Sequence, residues 1–319
     1  MTEEKAMALN PMCGTEELSP QMKTFYDKVL IKNALPNMVH DQFGQRKPIP
    51  QHNGKTIEFR RLNPFAKTTT PLTEGVTPDG QNLEWGTVTA TVKQYGDYVT
   101  TSDVLDMTSV DYNIAEAARV LGDQAGLSLD SIVKEVLNAG TNVQYGDGSK
   151  TSRAAITADD IMTVQAVKRA ATTLKRMNAK KIDGDYVAII HPDVAYDLMN
   201  DTAWEALNTY NPKNVFAGEI GRLYGVRFVE SSDAKIFEKA GASSIDVYST
   251  LFLGADAYGT TEIEGGGLEM IIKPKGSAGT ADPLNQRSSM GWKATKAACI
   301  LTEAFMVRVE TASKYVPAE

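Results

Sequence analysis

The side chains that most often do chemistry are sparse in this sequence, and they do not gather. Its three histidines, His40, His52 and His191, have no second ligand at metal-binding spacing, so each reads as an isolated surface or loop residue. Two cysteines, Cys13 and Cys299, are too few for a disulfide framework or a zinc site and point to a reducing compartment. The sequence contains no nucleophile elbow, no lysine-bearing phosphate loop and no dinucleotide-binding glycine fingerprint. Gly265-Gly266-Gly267 would cradle a phosphate only at a helix N-terminus, and the strand-like run LEMII follows it, which leaves a flexible turn. Asp159-Asp160 fits a helix cap, and Glu262 with Glu264 fits the solvent face of a strand. No catalytic residue, metal ligand or cofactor is expected from these patterns.

What remains is charge and apolar surface placed for contact. Arg60 and Arg61 are adjacent in an alternating run, so they point to opposite faces and one of them can reach an acidic partner on a neighbour. Glu74 and Asp79, in the connection that follows, are placed to pair outward. Phe65 and Trp85 stand at the two ends of that connection. These six residues form the candidate subunit-interface set. Exposed ion pairs contribute about 0–1 kcal/mol each, so they would set register more than affinity. A basic cluster, Lys168, Arg169, Lys175, Arg176, Lys180 and Lys181, reads first as a solvated face favoured by the negative end of a helix.

The elements that must hold these residues follow from periodicity. Residues 1–18 are polar and aperiodic and predict a mobile tail. Ser19-Pro20 opens a short helix carrying Met22, Phe25, Val29 and Leu30, and Pro36 ends it. Residues 36–56 read as an extended arm. Two alternating runs, 56–62 and 87–95, look like the strands of a hairpin. They are joined by 24 residues, Asn63 to Gly86, with three prolines and no apolar periodicity. Connections of that length are usually functional, and a lone ribbon is marginal in water, so this one needs another surface.

A long helix is predicted from about Tyr112 to Ala139, with Ile114, Ala118, Leu121, Ala125, Leu129, Ile132 and Val136 at three-to-four spacing. Asn113 and Glu116 suit a capping box, and Gly122 and Gly126 permit a bend or a close crossing. A second helix is predicted over 158–177, capped by Thr157 with Asp160. Strands are expected at 186–190, 245–253, 268–273 and in one long run at 297–310, with a short helix at 192–199. Helices and strands mix without regular alternation, which makes the class α+β.

The chain of 319 residues is 42% hydrophobic and 23% charged, enough to bury a core without staples. Its net charge of −7 argues against a protein that binds nucleic acid over its whole surface. No apolar run of spanning length occurs, and the acidic start MTEEKAMALN does not suit a signal peptide. The expected location is the cytosol or a particle assembled there, with no membrane partner.

Four segments carry a resemblance: FYDKVLIKNALPNMVHDQFGQ (25–45), GKTIEFRRLNPFAKTTTPLTEGVTPDGQ (54–81), TVKQYGDYV (91–99) and DPLNQRSSMGWK (282–293). They resemble a family of tailed-bacteriophage major capsid proteins, related to the shell protein of the podovirus that infects enteric bacteria and carries its own virion polymerase. The likeness runs over about 22–312. It implies the Hong Kong-type capsid fold, with an N-terminal arm at 1–50 and an extended loop at 51–98. A peripheral domain with a spine helix would follow at 99–182, an axial domain at 183–258 and a peripheral return at 259–319.

By the same resemblance the chain would build hexamers and pentamers of itself into an icosahedral shell around the phage's double-stranded DNA. Each extended loop would lie across a neighbour. The expected partners are a portal protein, a decoration protein and packaged DNA held without sequence preference. About 20 residues precede the likeness, so a separate scaffolding protein is expected. The basic cluster then has a second reading, as a patch facing the genome. The competing readings are an encapsulin-like compartment shell and a soluble enzyme.

Overall fold

The computed structural model describes residues 28, 30–34, 37–62, 65–108, 113–204, 221–277 and 282–315. The predicted tail, most of the first helix, and Asn63 and Pro64 lie outside them. The chain divides into two compact units. One comprises residues up to Asn37, Gln94–Ser128 and Gly266–Thr295; the other comprises Met38–Lys93, Leu129–Gly265 and Lys296–Glu319.

In chain order the elements are β1 (Gln45–Arg46), β2 (Thr56–Leu62), β3 (Trp85–Thr91), β4 (Lys93–Ser102), α1 (Asp103–Thr108) and α2 (Asn113–Asn138). There follow β5 (Val143–Tyr145), α3 (Val164–Arg176), β6 (Tyr186–Ile190), α4 (Pro192–Met199), β7 (Arg222–Leu223), β8 (Val226–Glu230) and β9 (Ile236–Phe237). The last are β10 (Val247–Leu253), β11 (Tyr258–Thr261), β12 (Glu269–Lys273), β13 (Arg287–Ile300) and β14 (Met306–Thr311). Both α2 and β13 contribute residues to the two units.

The larger unit is built on a seven-stranded mixed sheet in the order β5-β14-β10-β6-β8-β7, with β9 beside β10. Alternation along its central strands sorts side chains to two faces. Ala188, Ile190, Phe252, Val307 and Val309 pack with Val167, Ala171 and Leu174 of α3 and with Val194 and Leu198 of α4. Ile189, Leu251, Leu253 and Met306, on the opposite face, pack with Val133 and Leu137 of α2. Because both faces are covered, β6 reads as a continuous apolar run, YVAII, while β10 and β14 carry buried polar residues among their apolar ones.

One buried charge cluster ties the sheet to a distant turn. The guanidinium of Arg153 donates two 2.7 Å hydrogen bonds to the buried Glu310 of β14, and Arg308 pairs with the same carboxylate at 2.8 Å. Arg153 also lies 3.4 Å from the Phe237 ring centroid. The Glu310 carboxylate raises the pKa of Arg153 above its ordinary value by accepting its hydrogen bonds.

In the smaller unit, β12 lies antiparallel to residues 289–293 of β13, and β4 pairs with β13 as well. The early part of α2 crosses the helical residues 30–34. A Cβ at Gly122 would sit 2.8 Å from the Leu30 carbonyl, and one at Gly126 would collide with that of Ala34. Of the two expectations for these glycines, the close crossing is what they provide.

Three expectations need correction. The second helix starts at Val164, where Thr163 accepts a hydrogen bond from the Ala166 N–H. The Thr157–Asp160 pair closes a separate turn, with Asp160 accepting from the N–H and hydroxyl of Thr157, so Asp160 caps no helix. The long final strand is two, β13 and β14, divided by a helical turn at Glu303–Phe305. Glu116 pairs with Arg119 at 3.1 Å within α2.

Candidate subunit interface

The ribbon made by β2 and β3 is antiparallel, running from the Thr56↔Thr91 pair to Leu62↔Trp85. Its foot belongs to the larger unit's core. Phe59, Ala90 and Val92 are buried with Ile49, Ala297 and Cys299, and Ile57 and Val88 pack against them. Burial in this cluster also raises the pKa of the Cys299 thiol. The alternation seen in sequence places these residues here: one face of the ribbon is apolar and finds its partner in its own chain.

The segment leading into the ribbon is fixed by buried polar groups. His40, expected to be an isolated surface or loop residue, lies in a turn but is buried, and its Nδ1 lies 2.6 Å from Oδ2 of the equally buried Asp130. The Asp130 carboxylate also accepts a hydrogen bond from the His40 backbone N–H. Lys296 and Arg46 both pair with Asp41, at 2.6 and 2.9 Å. The Tyr258 hydroxyl donates to the His40 carbonyl and accepts from the Phe43 N–H. Burial pushes the Tyr258 phenol well above its ordinary range. The other two histidines remain apart: His191 caps α4 by accepting from the Asp193 N–H, and His52 is exposed. Among the described residues no three His, Cys, Asp or Glu side chains converge on a metal site.

Beyond the strands the picture reverses. Residues 65–84 form no helix or strand and are exposed throughout. Phe65, Leu72, Val76, Leu83 and Trp85 are between 56% and 75% exposed. Single exposed apolar residues are ordinary, but four on one irregular segment with Trp85 beside them form the kind of surface that a partner covers.

Of the six expected interface residues, four stand open in this way. Phe65 and Trp85 mark the ends of the segment, and Glu74 and Asp79 lie within it, exposed and paired with no described cation. The two arginines separate as the strand requires. Arg60 faces outward and pairs only loosely with Glu58, at 3.7 Å. Arg61, on the other face and still exposed, reaches its own chain, where its guanidinium donates to the Thr302 hydroxyl at 2.9 Å and holds the ribbon. Sequence reading missed Leu72, Val76 and Leu83. Their signal was apolar residues inside a loop of Thr, Pro and Gly with no periodicity to bury them.

A groove flanks the ribbon, lined by Phe65, Leu83, Met177, Leu301 and Phe305 and by the charged residues Arg60, Lys180 and Asp256. This arrangement holds no acid–base pair aimed at a common point. It offers a rooted arm, an uncovered apolar tip and charges of both signs, which suit association rather than catalysis.

A family model described as phage capsid protein matches residues 85–309. No curated protein matches. Among solved structures, the capsid of Ralstonia phage GP4 is similar at 17% identity over 88% of this chain and 90% of that one, with a TM-score of 0.68. The capsid of cyanophage P-SCSP1u is similar at 16% identity over 87% and 89%, with a TM-score of 0.66. A virus-like particle from Pyrococcus furiosus is similar at 9% identity over 91% and 99%, with a TM-score of 0.54. At these identities the likeness is one of fold, and the fold is that of tailed-phage capsids.

Proposed function

This chain belongs to the phage capsid protein family, and from that premise we propose that it is the major shell subunit of a tailed bacteriophage, closing its lattice with the 65–84 segment. A capsid subunit is structural, so contacts replace a catalytic centre. The observation that carries the reading is the contrast along the ribbon: the foot is buried in its own chain, while the tip is uncovered and apolar. A tip laid on the next copy repeats the same heterologous contact around a ring, and many such contacts turn weak pairs into an avid shell.

Under this reading the arm is 1–50 and the extended loop 51–98. The peripheral domain comprises 99–182 and 259–319, with α2 as its spine. The axial domain, 183–258, gathers into hexamers and pentamers. The sheet built on β6, β8 and β10 supports a rigid axial wedge, stiffened by β5 and β14 from outside that range. The partners are a separate scaffolding protein, a portal, a decoration protein and double-stranded DNA within the virion, assembled in the bacterial cytoplasm. The Pyrococcus particle shows that the fold alone suits more than one kind of particle, and the family match favours the phage.

The test replaces 63–84 by Asn-Gly, a two-residue turn that suits the Leu62↔Trp85 pair. The variant is expected to fold with stability within about 1 kcal/mol of the parent, because the removed side chains touch little. Co-expressed with the scaffolding protein, it should yield no closed shells by light scattering and electron microscopy. Normal shells from this variant would contradict the reading.

A further inference from the structure

Residues 168–181 hold six cations and no carboxylate, in a chain whose net charge is −7. They lie on α3 and the turn after it, within one unit. Lys168, Arg169, Lys175, Arg176, Lys180 and Lys181 are all exposed, while the opposite side of α3 is buried in the core. Lys168 and Lys175, like Arg169 and Arg176, are seven residues apart, close to two full turns, so they stack on one face about 10 Å apart. The face extends to the β7–β8 turn, where the Lys168 Nζ lies 4.5 Å from the half-exposed Tyr224 ring.

Local structure explains only part of this. Lys175 and Arg176 complement the carbonyl end of α3, and Arg169 donates to the Asp147 carbonyl at 3.0 Å. Lys180 and Lys181 lie beyond the helix, where the dipole has faded. None of the six makes a close ion pair with a described carboxylate, and only Arg169 acts through its charge on one, Asp147. Arg46, Lys134, Arg153, Lys235, Lys296 and Arg308, by contrast, each make a close pair. The carboxylates Asp147, Asp159, Asp160 and Asp201 collect at the other end of α3, around a cleft that Lys168 also lines. Asp183, just past Lys181, is exposed, and Asp185 is taken by Arg222 at 3.2 Å.

We propose that this face, centred on Lys175, Arg176, Lys180 and Lys181, binds the phosphate backbone of duplex DNA without reading its sequence. Two features favour DNA over a second copy of the chain. Four of the six cations are lysines, which are depleted in protein–protein interfaces. Of their long side chains, Lys168 and Lys181 lean on the rings of Tyr224 and Tyr186, and Lys175 and Lys180 meet no described carboxylate. Such a set suits a partner that presents regularly spaced charge in any register. In a shell subunit, such a face would be turned toward the genome. The proposal rests on one helix and its turn, and it can be tested without a shell.

The experiment is fluorescence anisotropy with a short random-sequence duplex and the full chain, over a range of salt. Four phosphate contacts give a salt slope near −3.6, so affinity should fall about 150-fold between about 50 and about 200 mM salt. The variant K175Q/R176Q/K180Q/K181Q should lose most of the slope while keeping its circular dichroism and melting temperature. K180Q/K181Q, which leaves α3 intact, should lose about half. A control that removes four exposed lysines elsewhere, K55Q/K93Q/K239Q/K273Q, should bind as the parent does. No binding by the parent, or equal loss in the control, would overturn the proposal. So would a quadruple variant that binds DNA normally but fails to self-associate, because the face would then be a contact between copies.

Discussion

The seven-stranded sheet and the 65–84 segment belong to the same compact unit, yet they stand at opposite extremes of self-sufficiency. Strands β6, β10 and β14 of the sheet are covered on both faces, and the charge at its heart, Glu310, has two arginine partners. The segment has neither cover nor repetitive structure, and its apolar side chains face solvent. Hydrophobic burial is roughly proportional to the area removed from water, so the sheet holds the stability and the segment holds a potential not yet realised. Such a potential on a rooted ribbon supports the proposal that another copy completes it.

Changes in the sheet should therefore act on folding, and changes in the segment on assembly. The largest effect is expected for Glu310→Ala, which leaves Arg153 and Arg308 beside each other without their buried counter-charge. Loss of about 3–5 kcal/mol is expected, read by urea denaturation of the free subunit. A loss under about 1 kcal/mol would show that the sheet does not depend on its central ion cluster and would blur the contrast with the loop.

A smaller effect is expected at the edge of the same core. Burial lowers the pKa of His191 below its ordinary value, against the pull of nearby Asp193. The folded state thus favours the neutral ring, whose Nδ1 accepts the α4 cap hydrogen bond. Below the ordinary histidine pKa the unfolded chain binds more protons, so this stability is present at neutral pH and is lost as pH falls through the folded value. Thermal melts across that window should show the loss, at most about 1 kcal/mol for one cap. His191→Asn, which keeps an acceptor at the cap, should flatten the dependence. An unchanged pH profile in that variant would assign the loss to other groups.

Much of this architecture was legible in the residues. The three-to-four spacing from Ile114 to Val136 marked α2, although its last turns bury Val133 and Leu137 more fully than the Ile132 and Val136 the spacing named. Alternation marked β2 at 56–62, while the run at 87–95 spans the end of β3 and the start of β4. YVAII and PDVAYDLM stand as β6 and α4, where period and flanking residues agreed. Errors arose where local chemistry imitated a signal. Thr157 and Asp160 have the spacing of a helix cap but close a turn of their own, and Thr163 does the capping. The break between β13 and β14 contains neither glycine nor proline, so nothing local announced it.

Contacts across long separations were invisible for a different reason. Arg61 meets Thr302 across 241 residues and Arg153 meets Glu310 across 157, and one sequence holds no trace of either pairing. At the candidate interface, the exposure of Phe65, Glu74, Asp79 and Trp85 was legible, because their loop had no period with which to bury them. The reach of Arg61 to its own chain was not, because strand alternation gives two faces without saying which partner waits on each.

The most direct measurement is amide hydrogen exchange of the free subunit and of the assembled shell, compared segment by segment. Strands β6, β10 and β14 should be protected in both, while 65–84 should exchange rapidly in the free subunit and become protected in the shell. Exchange at 65–84 that is equally fast in both states would contradict the claim that neighbouring copies complete this segment.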